Sequence, residues 1–94
     1  MPEERKSTPE EQKHRQGVML FNQGSYDQAA RLFAEALDIQ ETSDRWNDWA
    51  TAQMLCEHGV SAERGFVYAL ELNPQNQQAA ANLGTFLVRS ERFL

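Results

Sequence analysis

The side chains of this chain that could do chemistry are few and scattered. Cys56-Glu57-His58 is the one place where cysteine and histidine cluster. A zinc site needs four ligands at set spacings, and the other histidine, His14, stands far away in sequence. Nucleophilic work by Cys56 with His58 as base fares no better, because residues two apart on a helix point in divergent directions and nothing orients the base. The pattern reads instead as a buried or half-buried thiol beside a histidine at a helix end, where a cation suits the dipole. The carboxylate pairs Glu10 with Glu11 and Asp44 with Asp48 suggest acid-base work, yet Glu10, Glu11 and Asp44 fall in first helical turns, where negative charge is stabilising. Asp48 needs another account: it either receives a basic group from a partner or is solvated. Trp46 and Trp49, three apart on one helical face, invite a stacking role. No glycine-rich phosphate loop, G-x-S-x-G elbow or H-E-x-x-H is present. The expectation is a non-enzymatic protein with no metal and no cofactor.

The whole chain supports that expectation. Its 94 residues, 40% of them apolar, furnish one modest core and exclude a second. Fourteen acidic residues against nine basic ones give a net charge of -5, which repels phosphate backbones, so neither nucleic acid nor an anionic membrane is an expected partner. A single cysteine forms no internal disulfide, and no apolar run is long enough to span a bilayer. The N-terminal residues carry basic groups with no apolar stretch behind them, unlike a secretory signal. A soluble, cytoplasmic protein is expected.

Strand signals are nearly absent, and long stretches of Ala, Glu, Gln, Leu and Arg predict five helices. Thr8-Pro9-Glu10-Glu11 announces the first, from about Pro9 to Gln23, with a capping box between Thr8 and Glu11. Gly24 suits its stop, and Ser25 with Gln28 forms a second capping box that starts a helix to about Gln40. Leu32, Phe33, Ala36, Leu37 and Ile39 give that helix an apolar face. A third helix, capped by Ser43 or Asp44, runs to Gly59; a fourth spans Ser61 to about Leu72, before Asn73-Pro74; a fifth spans roughly Gln77 to Ser90. Residues 1–8 have nothing to bury and read as a mobile tail.

A period runs through these helices. Ala29 and Ala62, Phe33 and Phe66, Ala36 and Ala69, and Leu37 and Leu70 are each 33 residues apart. Gly17, Ala50 and Gly84 continue it at spacings of 33 and 34. Two units of paired antiparallel helices and a half unit imply a solenoid, in which each unit buries its apolar face by stacking on its neighbours. Small residues at Gly17, Ala29, Ala50, Ala62 and Gly84 are expected where helices cross closely.

Residues 9–94 resemble the tetratricopeptide repeat, whose pattern runs W-x2-L-G-x2-Y, then A-x3-F, then P. Trp46 stands at the tryptophan place, Leu83-Gly84 at the leucine-glycine pair, Ala29 with Phe33 and Ala62 with Phe66 at A-x3-F, and Pro74 at the terminal proline. The turn Gly24-Ser25-Tyr26-Asp27-Gln28-Ala29 resembles the family's inter-helix turn, whereas Gly59-Val60-Ser61-Ala62 looks like a shortened version. Gln16, Glu41 and Gln53 depart from the family's leucine, proline and tyrosine. The resemblance implies an all-α, right-handed α-solenoid with units of about 10–42, 43–76 and 77–94, and it makes Trp46 and Trp49 packing residues.

It also implies a concave groove lined by the first helix of each pair, which receives a protein or peptide segment. The groove places fall on His14, Val18, Phe21 and Asn22, on Asn47, Asp48, Thr51, Met54 and Leu55, and on Gln78, Ala81, Asn82, Thr85 and Arg89. The carboxylate clamp of some members would use His14, Val18, Asp48, Gln78 and Asn82; these cannot reproduce its cations. Phe21, Met54 and Leu55 are expected either to form an apolar strip for a hydrophobic peptide or to pack in the core. The last helix, with Phe86, Leu87 and Phe93, is apolar on more than one face. Either the chain is a fragment of a longer protein, or a second copy covers that face as a homodimer; oligomerisation or intrachain docking through the C-terminal helix is thus the alternative function.

Overall fold

The computed structural model describes residues 6–90 and contains, among them, five α-helices and no strand. These are α1 (Pro9–Asn22), α2 (Tyr26–Ile39), α3 (Ser43–Leu55), α4 (Gly59–Leu72) and α5 (Gln77–Arg89). The expected tail at residues 1–8 lies mostly outside the described residues, as do Phe93 and Leu94.

Helices α1, α3 and α5 start alike. Their caps Thr8, Thr42 and Asn76 are spaced by 34, and each side-chain oxygen accepts the backbone N–H three residues on. At Thr8 the box is complete, since Glu11 also reaches back to the Thr8 N–H. Thr42, rather than Ser43 or Asp44, caps α3 because its extended backbone aims the hydroxyl at the Arg45 N–H. Ser43, displaced into the first turn, donates instead to the Ala69 carbonyl at 2.7 Å and accepts from the buried Asn76 amide at 2.7 Å, which ties α3 to α4 and to the start of α5.

Helices α2 and α4 start differently. Ser25 and His58 have ψ near 70° and make no side-chain cap, so the Ser25-Gln28 box does not form. The preceding turns at residues 23–25 and 56–58 are equivalent. Ser25 N–H donates to the Leu20 carbonyl and His58 N–H to that of Gln53, both at 2.9 Å. The left-handed residue is Gly24 in the first turn (φ 84°) and Glu57 in the second (φ 64°). The second turn is therefore of full length, and Gly59 begins α4 instead of ending α3.

These turns fold α1 back on α2 and α3 back on α4, while α2 packs on α3 and both α3 and α4 pack on α5, an arrangement consistent with a helical repeat. Ala29, Ala30, Phe33 and Ala52 form one core cluster; Ala50, Ala62, Phe66 and Phe86 form the next, with Trp49 touching both. Close crossings explain the small residues. A Cβ on Gly17 would stand 2.6 Å from the Phe33 ring, and one on Gly65 would stand 2.7 Å from Ala50 Cβ. Gly84 is the exception, for a Cβ there would meet nothing within 4 Å. Ile39 leaves the expected apolar face and, like Leu72, is about half exposed, because each is the last residue of its helix. Among the described residues no helix is long and apolar enough to cross a membrane.

Candidate functional site

One side of the molecule is built from α1, α3 and α5, the first helix of each pair. A cavity of about 280 Å³ opens there, lined by Val18, Phe21, Phe33, Asn47, Asp48, Thr51, Gln78 and Asn82. Seven of these are groove residues expected from sequence; Phe33, from α2, is the eighth. Across α1 and α3, His14 Nε2 donates to Asp48 Oδ2 at 3.1 Å, and the imidazole lies 5.1 Å from the Phe33 ring. His14 Nδ1 is buried there with no hydrogen-bond partner among the described residues. Across α3 and α5, Asn82 Nδ2 donates to Asn47 Oδ1 at 2.9 Å; within α3, the Thr51 hydroxyl donates to the Asn47 carbonyl at 2.8 Å. The cavity thus offers a carboxylate, amides and a hydroxyl beside three apolar side chains, which suits backbone and side-chain contacts to an extended segment.

Other expected groove residues lie elsewhere. Asn22 and Thr85 are exposed and Leu55 is half-buried, none of them lining this cavity. Met54 and Arg89 line a separate hollow of about 210 Å³ with Glu57, Gly59, Phe86 and Ser90. Phe21 packs edge-on against Tyr26 at 5.1 Å and Met54 packs on the second core cluster. The apolar strip of Phe21, Met54 and Leu55 is therefore not assembled. The helical period separates Phe21 and Met54 into successive units, each turned toward its own second helix. Phe86 is not a bare docking residue either: it is 5% exposed and packs near Phe66, with Leu87 against the same cluster.

Cys56 sits at the end of α3, where burial and a hydrogen bond with the neighbouring Asp27 carboxylate push its thiol up to about 11. Thiolate is the nucleophilic form, so this environment opposes covalent chemistry at Cys56. His58 meanwhile points to Gln53 at 3.1 Å. Among the described residues, no group of three or more His, Cys, Asp and Glu side chains could hold a metal ion.

A second cleft, of about 440 Å³, has no counterpart in the sequence-based expectations. Ala34, Leu37, Asp38, Ile39, Glu41, Trp46 and Trp49 line it, where the end of α2 meets the start of α3. The Trp46 N–H donates to Glu41 Oε1 at 2.9 Å, and its ring meets Trp49 at 5.4 Å and Tyr68 at 4.9 Å. The signal for it in the sequence is the pair of tryptophans three apart; their half-buried state sets them at a cleft wall as well as in the packing.

No protein-family model and no curated protein matches the chain. Its functional reading rests on these residues.

Proposed function

We propose that the chain is a non-enzymatic binding scaffold of tetratricopeptide type, a short right-handed array whose groove receives a peptide or protein segment. The observation that carries this reading is a cavity to which α1, α3 and α5 all contribute, with Val18 and Phe21 beside Asp48, Gln78 and Asn82. An apolar side chain of the ligand packs on Val18 and Phe21, and the amides and Asp48 set its orientation. A peptide-array screen followed by Phe21→Ala and Asp48→Lys tests it. Binding should weaken in both variants; peptides indifferent to both changes would refute the groove.

A second reading, docking through the C-terminal helix, draws on Val88, which is 59% exposed, and on the open space beside Gly84. Light scattering across a concentration series separates the two. Self-association abolished by Val88→Glu would favour docking through α5, and a monomer at all concentrations would remove the homodimer.

A further inference from the structure

The cleft between α2 and α3 has a chemistry of its own. Asp48 and Trp49 are consecutive in α3 yet line different cavities, so this cleft is separate from the groove. Its lining combines three features. Two indoles, Trp46 and Trp49, stand nearly perpendicular to one another. Trp46 is held in place by Glu41 through its N–H and by the rings of Trp49 and Tyr68. Two carboxylates, Asp38 and Glu41, share the cleft, and both residues are exposed. No described cation pairs with either; the nearby Arg45 guanidinium is engaged by the Gln40 carbonyl and side chain at 3.0 and 3.3 Å. Ala34, Leu37 and Ile39 add an apolar floor.

Indole rings attract cations, the carboxylates supply two negative charges, and the floor covers methylenes. A lysine ammonium would have to shed a tightly held hydration shell to use the indoles. A quaternary ammonium would stack but has no N–H for the carboxylates. The guanidinium group alone satisfies all three, because it is planar, weakly hydrated and carries five donors. We propose that this cleft is a binding site for an arginine side chain of a partner protein. The guanidinium packs on Trp46 and Trp49 and donates to Asp38 and Glu41, while the aliphatic stem runs over Leu37 and Ile39. The chain's net charge of -5 favours such a basic partner over a second copy of itself.

The test is an NMR titration of the 94-residue chain with N-acetyl-arginine N-methylamide, read at the two indole N–H signals. Lysine, trimethyllysine and norleucine analogues serve as controls. The arginine probe should move both indoles and saturate in the millimolar range, with each control weaker by about fivefold or more, the scale of one exposed charge contact. Asp38→Asn and Glu41→Gln should each weaken arginine by about fivefold without changing the thermal midpoint, since the amide introduced by Glu41→Gln still offers an oxygen to the Trp46 N–H. The proposal is overturned if lysine or trimethyllysine binds as well as arginine, if both acidic variants bind arginine unchanged, or if the indole signals stay still at the highest soluble concentration. The groove reading survives any of those results, because its peptides are scored at Phe21 and Asp48.

Discussion

The junction of α1 with α3 and that of α3 with α5 use the same two places of the repeat for different chemistry. Asn47 stands 33 residues after His14, and Asn82 stands 34 after Asp48. In the first junction the pair is His14 with Asp48, with side chains 25% and 35% exposed. In the second it is Asn47 with Asn82, and Asn47 is 2% exposed. The backbones of α3 and α5 pack together, whereas α1 and α3 have no comparable contact. The difference follows from solvation. Amides can be buried at the cost of satisfying their hydrogen bonds, but a carboxylate with a single partner must keep some water. The array is therefore tight where the bridge is neutral and open where it carries a carboxylate. The open junction is the one flanked by Val18 and Phe21, which gives the groove reading its polarity along the array.

The comparison breaks most forcefully at the aromatic residues beneath each junction. Phe33 and Phe66, 1% and 0% exposed, are the largest fully buried side chains. Truncating either to alanine should cost about 3–5 kcal/mol. Phe66→Ala should be the more damaging, because it also strips packing from Phe86, while Phe33 already borders a cavity. Urea melts followed by helical circular dichroism measure both. A loss below about 1 kcal/mol at either site would mean that its unit does not share the core.

The bridges themselves come next. Asn82→Ala leaves the Asn47 oxygen buried without its donor and should cost about 1–3 kcal/mol. Asp48→Asn keeps an acceptor for His14 Nε2 in a half-exposed setting and should cost about 0–1 kcal/mol. Equal losses in the same urea melts would show that the two junctions are energetically alike and that openness at the first is not a consequence of its charge.

This asymmetry is only partly legible in the sequence. The period, the Thr8-Glu11 box and the small residues at Gly17 and Ala50 are readable because each is a local rule: a cap, a turn, a crossing that tolerates no bulk. The same phase selects the expected groove places, and half of them, Val18, Phe21, Asn47, Asp48, Thr51, Gln78 and Asn82, share one cavity. What the pattern does not carry is pairing across helices. Nothing local says that Asp48 is met by His14, or that Asn76 caps α5 while bonding Ser43. Phe86 reads as bare in sequence because its cover comes from α3 and α4. Met54 reads as a neighbour of Phe21 because helix identity says nothing of the second helix toward which each side chain turns. Trp46 and Trp49 offer either a stacking role or packing in the sequence, and nothing local says that a cleft opens beside them where the end of α2 meets α3.

A third contrast compares one thiol in the two units. Cys56 ends α3 beside Asp27 of the preceding α2, whereas Gln23, its counterpart 33 residues earlier, is exposed at the end of α1. The thiol pKa is raised from 9.0 to about 11 at Cys56. A raised value favours the protonated thiol in the folded state, so its stabilising contribution is present below 9.0 and is lost as pH rises through about 11. Gln23→Cys in a Cys56→Ser background should titrate close to the ordinary value. At pH 8 the native thiol should react about 10-fold more slowly than the transplanted one, after allowing for the greater nucleophilicity of a more basic thiolate. Matching pH profiles would remove Asp27 and burial as the cause.

The smallest effect probes the turns that set both junctions. Gly24 and Glu57 hold equivalent left-handed conformations, which strain a side chain and leave glycine at ease. The strain at Glu57 is about 1–2 kcal/mol, offset by about 0.4–1 kcal/mol of extra unfolded-state freedom when glycine is introduced. Glu57→Gly should therefore stabilise the chain by about 0.5–1 kcal/mol. Gly24→Ala should destabilise it by about 1 kcal/mol through the backbone alone, since a Cβ there would meet nothing within 4 Å. Opposite shifts of the thermal midpoint are the signature of two equivalent turns. Destabilisation by Glu57→Gly would instead mean that the glutamate side chain contributes more to the second turn than its backbone costs, and the two turns would then differ in energy as the two bridges do.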